Sequence, residues 1–84
     1  MELEEKEKLI KQLGEKLKDL KVKSKLSYRI LAQRCDLDHA DIRNYENGKT
    51  DIRFTTIIEL AKAYGVHPME ILDIDYKIEF KKSS

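Results

Sequence analysis

LSYRILAQRCDLDHADIRNYENGK, residues 26 to 49, decides the fold. It reads as two short amphipathic helices joined by a turn so tight that their crossing is fixed. Ser27 is placed to cap the first helix, Leu31 and Cys35 fall one turn apart on one face, and Ala32 is small enough for a second helix to cross closely. Asp36 and Leu37 make the turn. Asp38 then caps a second helix whose buried stripe is Ile42 and Tyr45, and Asn47-Gly48 closes it with residues that tolerate positive φ.

Four segments carry a resemblance to the lambda-repressor-like, or Cro-type, helix-turn-helix family, whose members include xenobiotic-response-element-like regulators. LGEKLKDLKVKSKLS (13 to 27) is similar to the family's first helix and its approach to the second, and Leu31-Ala32 sits at its helix-2 signature. YENGKT (45 to 50) resembles the end of its recognition helix, and IIELAKAYGVHPMEIL (57 to 72) its fourth and fifth helices. The resemblance covers about 13 to 74. It implies an all-α, five-helix fold that binds double-stranded DNA as a homodimer, without a cofactor.

Outside the quoted stretch, Leu9, Leu13, Leu17 and Leu20 recur at helical spacing and predict a first helix from near Glu4 to about Lys23. Its front, residues 1 to 12, is longer than the family needs. Helices are further expected at about 27 to 35, 38 to 46 and 54 to 64, the last with Phe54, Ile57, Ala61 and Tyr64 inward and Gly65 as its stop. Pro68, Met69, Ile71 and Leu72 give a short fifth helix that closes the core. Beyond it Ile74, Tyr76, Ile78 and Phe80 alternate with Asp75, Lys77, Glu79 and Lys81, the period of a half-buried strand. A lone strand cannot satisfy its own backbone, so Tyr76, Ile78 and Phe80 are expected to dimerise by pairing with a second copy. The rival is a tail folded back on its own helices, with helices 4 and 5 forming the dimer.

Length and composition agree with one small domain over 1 to 84. One cysteine excludes an intramolecular disulfide, and no apolar run suffices for a signal peptide or membrane span, so a reducing cytoplasm is the default. The formal net charge of +1 says little about a nucleic-acid partner, but Lys16, Lys18, Lys21, Lys23 and Lys25 gather positive charge on one segment. His39 and His67 with one cysteine make no metal cage, and no nucleophile, base and oxyanion donor can be named, which excludes the obvious enzyme classes. Cys35 belongs to the core side of its helix, and the scattered glycines form no phosphate-cradling loop.

A wheel drawn on helix 3 turns Ala40, Arg43, Asn44 and Asn47 away from the core. The resemblance assigns His39, Ala40, Asp41 and Asn44 to base readout, with Arg43 between base and backbone. Asn44 suits adenine, Ala40 a thymine methyl, and Asp41 can accept from cytosine N4. Backbone contacts fall to Tyr28, where the family usually has a phosphate-bound glutamine, and to Asn47, Lys49 and Arg53, with Lys25 and Arg29 extending the track. Glu46 would repel phosphate if it faced DNA. The resemblance turns it inward, paired with Lys21 of helix 1. Of the nearby acids, Asp38 is a cap, Asp41 lies in a first turn favoured by the helix dipole, and Asp36 stands where a positive φ is expected; Asp51 has no such role.

Phage repressors, controllers of restriction-modification operons and antitoxins all resemble this chain. The expected function is a transcription regulator acting by repression or autoregulation on a pseudo-palindromic operator. Its rival is a protein-interaction module that keeps the fold and uses the acidic surface and the front of helix 1 for a protein partner.

Overall fold

The structure, a computed structural model, describes residues 1–76. Five helices follow one another: α1 (Leu3–Ser24), α2 (Tyr28–Gln33), α3 (His39–Glu46), α4 (Phe54–Tyr64) and α5 (Pro68–Leu72). Each start expected from a polar cap is present. Ser27 accepts from the Ile30 amide, Asp38 from the Ala40 amide, and Pro68 opens α5 behind His67, whose Nδ1 accepts from the Met69 amide.

The core is built from Leu17 and Leu20 of α1, Leu31 of α2, Ile42 of α3, Ile57, Leu60, Ala61, Ala63 and Tyr64 of α4, and Ile71 of α5. Helix α3 packs on α1 and α2, and α4 joins α2 to α5. The apolar membership of α4 and α5 departs from expectation. Phe54 is 71% exposed, Met69 72% and Leu72 52%. Phe54 is the first residue of α4, a turn before the buried stripe of Ile57, Leu60, Ala61 and Tyr64 begins. In five-residue α5 only Ile71 points fully inward.

Positive φ also falls elsewhere than expected. Among the described residues Lys25 is the one non-glycine there, at φ 57, where it ends α1 and donates its N–H to the carbonyls of Lys21 and Val22. Asp36 is not in that region; its amide instead donates to Glu59 Oε1 at 3.0 Å, tying the turn before α3 to α4. After α3, by contrast, the expected Asn47-Gly48 close is present, with Gly48 at φ 67 taking the left-handed conformation.

Gly14 has a role that helical periodicity does not reveal. A Cβ there would stand 2.6 Å from the Glu46 carbonyl oxygen and 2.8 Å from that of Tyr45. The bare α1 backbone is what lets the end of α3 lie against it.

No strand occurs among the described residues. The expected dimerising strand is met at Ile74 and Tyr76 by a different arrangement, in which the chain folds back on α1. Gln12 Nε2 donates to the Asp75 carbonyl at 3.2 Å, and the Tyr76 hydroxyl donates to Glu5. Tight turns, with Ile74 N–H on the Leu72 carbonyl and Tyr76 N–H on the Ile74 carbonyl, replace the extended ladder geometry. Ile78 and Phe80 lie outside the described residues. The front of α1 is what Asp75 and Tyr76 bind.

Candidate nucleic-acid interface

Helix α3 is anchored at both ends and open along one side. Its first turn is fixed by Asp38, whose Oδ1 accepts from the Ala40 amide at 3.0 Å and lies 3.5 Å from His39 Nδ1. Ile42 is fully buried, whereas His39, Ala40, Asp41, Arg43 and Asn44 are all exposed. Five residues nominated for base readout therefore share the solvent side of one short helix. Lys25, Arg29, Asn47, Lys49 and Arg53 are exposed as well.

The far end of α3 is held by Glu46, which is only 2% exposed. Its two carboxylate oxygens accept one hydrogen bond each, from the Tyr28 hydroxyl and the Tyr64 hydroxyl, both at 2.6 Å. Helices α2, α3 and α4 thus meet at one carboxylate. Bonds of this kind, with an ionised acceptor, are shorter and about twice as strong as neutral ones. The phenols register the same environment: burial, and then the bond to Glu46, push Tyr28 up to about 12, and the same two causes push Tyr64 well above the ordinary tyrosine range.

This arrangement corrects two expectations. Glu46 and Lys21 do not form an ion pair; the Lys21 ammonium instead lies over the Tyr28 ring, 4.3 Å from its centroid. Tyr28 occupies the intervening space because its ring is long enough to reach the carboxylate from the first residue of α2. Its hydroxyl is consequently committed to Glu46, not offered to a phosphate. The cycle of Glu46→Gln and Lys21→Met should accordingly show only the indirect coupling that passes through their shared partner Tyr28, about 0.5 kcal/mol in thermal unfolding. A coupling well above that would restore the direct pair.

Asp51 also acquires a neighbour, Lys6 of α1, at 3.9 Å. Both side chains are exposed, so the pair is worth at most about 1 kcal/mol. Cys35 is half-buried, with its Sγ donating to the Leu31 carbonyl at 3.4 Å, and burial pushes its thiol up, away from a reactive thiolate. Among the described residues no helix is long and apolar enough to cross a membrane, and no group of three or more His, Cys, Asp or Glu side chains is placed to hold a metal.

Tyr64 is legible from its spacing as a core residue, but its hydroxyl's partner is not. The signal available is a buried phenol, which requires an acceptor, in a chain whose Glu46 is expected to turn inward.

A capped α3 packed on α2 with one side open is the arrangement of a helix-turn-helix DNA-binding regulator. Residues 12–72 match the family model described as a helix-turn-helix domain, and the chain belongs to this family of Cro-type DNA-binding transcription regulators. Over 61 residues, 71% of this chain and 75% of the relative, it is 34% identical to the control protein C.BamHI of Bacillus amyloliquefaciens. The fold is similar to the crystal structure of the restriction-modification controller protein C.AhdI from Aeromonas hydrophila, with a TM-score of 0.69 and 27% identity over 74% of this chain and 94% of that one.

Proposed function

We propose that this protein is a controller of the restriction-modification type, binding a pseudo-palindromic operator in duplex DNA as a homodimer and regulating transcription by repression or autoregulation. One observation carries the reading: His39, Ala40, Asp41, Arg43 and Asn44 are exposed together on a helix whose other side is locked by Ile42 and Glu46. The likeness to C.BamHI and C.AhdI favours a controller over a phage repressor or an antitoxin.

In this reading the first turn of α3 enters the major groove, Asn44 pairs with an adenine edge, and Arg43 reaches a base or the adjoining backbone. Lys25, Arg29, Asn47, Lys49 and Arg53 meet phosphates and set orientation without reading sequence. Exposed Phe54, Met69 and Leu72 on α4 and α5 supply the apolar surface for the two-fold contact. Two copies of α3 then address half-sites about one helical turn, roughly 34 Å, apart.

Selection from a random duplex pool tests the reading; a recovered two-fold site supports it, and recovery of no duplex overturns it. On the selected site Asn44→Ala should cost on the order of 1–3 kcal/mol and relax choice at one base pair, while Lys49→Ala should weaken all sequences alike and reduce the salt slope by about 1. Unchanged binding by both variants would remove α3 as the reader.

A further inference from the structure

Tyr28 stands at the first position of α2, and its hydroxyl is spent on buried Glu46. What remains to face outward is its ring. Two cations converge on that ring: Lys21 Nζ is 4.3 Å from the centroid and Arg43 Cζ 5.6 Å, both within the roughly 6 Å over which a ring's negative face attracts a cation. Donation of the phenol proton toward a carboxylate draws the hydroxyl's electron density toward the ring, which strengthens that attraction.

Neither cation forms an ion pair among the described residues, where the paired lysines are Lys6 and Lys62. Lys21 and Arg43 therefore share one aromatic support while keeping their charge available to an external anion. Long cationic side chains lose rotamer freedom when fixed on a ligand, and a support that holds them beforehand removes part of that cost.

We propose that Tyr28 is a positioning residue whose ring orders Lys21 of α1 and Arg43 of α3 into a single phosphate-binding pair on the DNA backbone. The proposal rests on the DNA-binding reading above and sharpens it. It moves Lys21 from a structural clamp to the interface, and it makes the position held by Tyr28 act through its neighbours' charges and not through its own hydroxyl. The ligand is a duplex phosphate because the ring adjoins α3, whose exposed first turns approach the groove.

The test compares Tyr28→Phe, which loses the hydroxyl and keeps the ring, with Tyr28→Leu, which loses both, so the missing bond to Glu46 cancels between them. Affinity for a fluorescently labelled duplex of the selected operator is measured across a salt series, with circular dichroism establishing that each variant is folded. Tyr28→Leu should bind roughly tenfold more weakly than Tyr28→Phe, because the ring beneath two cations is gone. The plot of log affinity against log salt should be shallower for the leucine variant by about 0.9 for each phosphate that is no longer neutralised. Equal affinity and equal slope in the two folded variants overturns the proposal.

If Tyr28→Leu does not fold, Lys21→Met in the parent and in Tyr28→Phe decides. A slope reduced by about 0.9 in both backgrounds supports the pair, and an unchanged slope overturns it. A parent protein that binds no duplex at all would instead overturn the DNA-binding reading itself.

Discussion

Glu46→Ala should unfold roughly 12–24 °C below the parent, since two hydrogen bonds to a charged acceptor are worth together about 3 kcal/mol at the least, and each kcal/mol moves a domain of this size by about 4–8 °C. The loss comes from three helices at once. Removing the carboxylate strands the Tyr64 hydroxyl inside the core and releases the Tyr28 hydroxyl at its edge. Tyr64→Phe should cost less, because Glu46 then keeps its bond to Tyr28. Thermal unfolding followed by circular dichroism measures both, and a Glu46→Ala midpoint within a few degrees of the parent would mean that the carboxylate does not anchor α3.

Gly14→Ala is the second large effect, and its sign is the opposite of what helix propensity gives. Alanine in a helix interior gains about 1 kcal/mol over glycine, but an overpacked contact costs about 1–3 kcal/mol. Here the added carbon meets main-chain atoms, with Glu46 O at 2.6 Å, Tyr45 O at 2.8 Å and Gly48 N at 3.0 Å. No rotamer change relieves such a clash, so the cost should reach the upper part of that range and leave a net destabilisation of about 1–2 kcal/mol. The end of α3 must move away from α1, so DNA affinity should fall as well. Urea unfolding and a gel shift on the selected operator measure the two; an alanine variant more stable than the parent would show that α1 and α3 have room to adjust.

The parts of the fold that are legible in the sequence are those written locally. Ser27, Asp38, Gly65 and Pro68 act within a turn of where they stand, so residue type and spacing suffice to place the helix boundaries. The outward side of α3 follows from Ile42 and Tyr45, which set the inward stripe of a helix only eight residues long. What escapes such a reading depends on long-range partners. Gly14 meets α3 across some thirty intervening residues, and nothing in the neighbouring leucines marks it as a contact point.

Pairing Lys21 with Glu46 follows from the basic residue that relatives place there, but a tyrosine at position 28 intercepts the carboxylate first. The positive φ that residue preference assigns to Asp36 falls instead on Lys25, which closes α1 with two backbone hydrogen bonds that offset the strain. Alternation beyond Ile74 carries no information about which surface Tyr76 meets. Period alone reports which side chains share a face, not what they face.

The bonds from Tyr76 to Glu5 and from Asp75 to Gln12 join positions 71 and 63 residues apart. During synthesis the front of α1 therefore leaves the ribosome long before the segment that secures it, and until then it rests on the marginal stability of a helix end and on the exposed Lys6–Asp51 pair. The first helix to be made is the last to be fully fastened, so a nascent chain halted within α5 would carry a recognition helix whose supporting α1 still frays at its start.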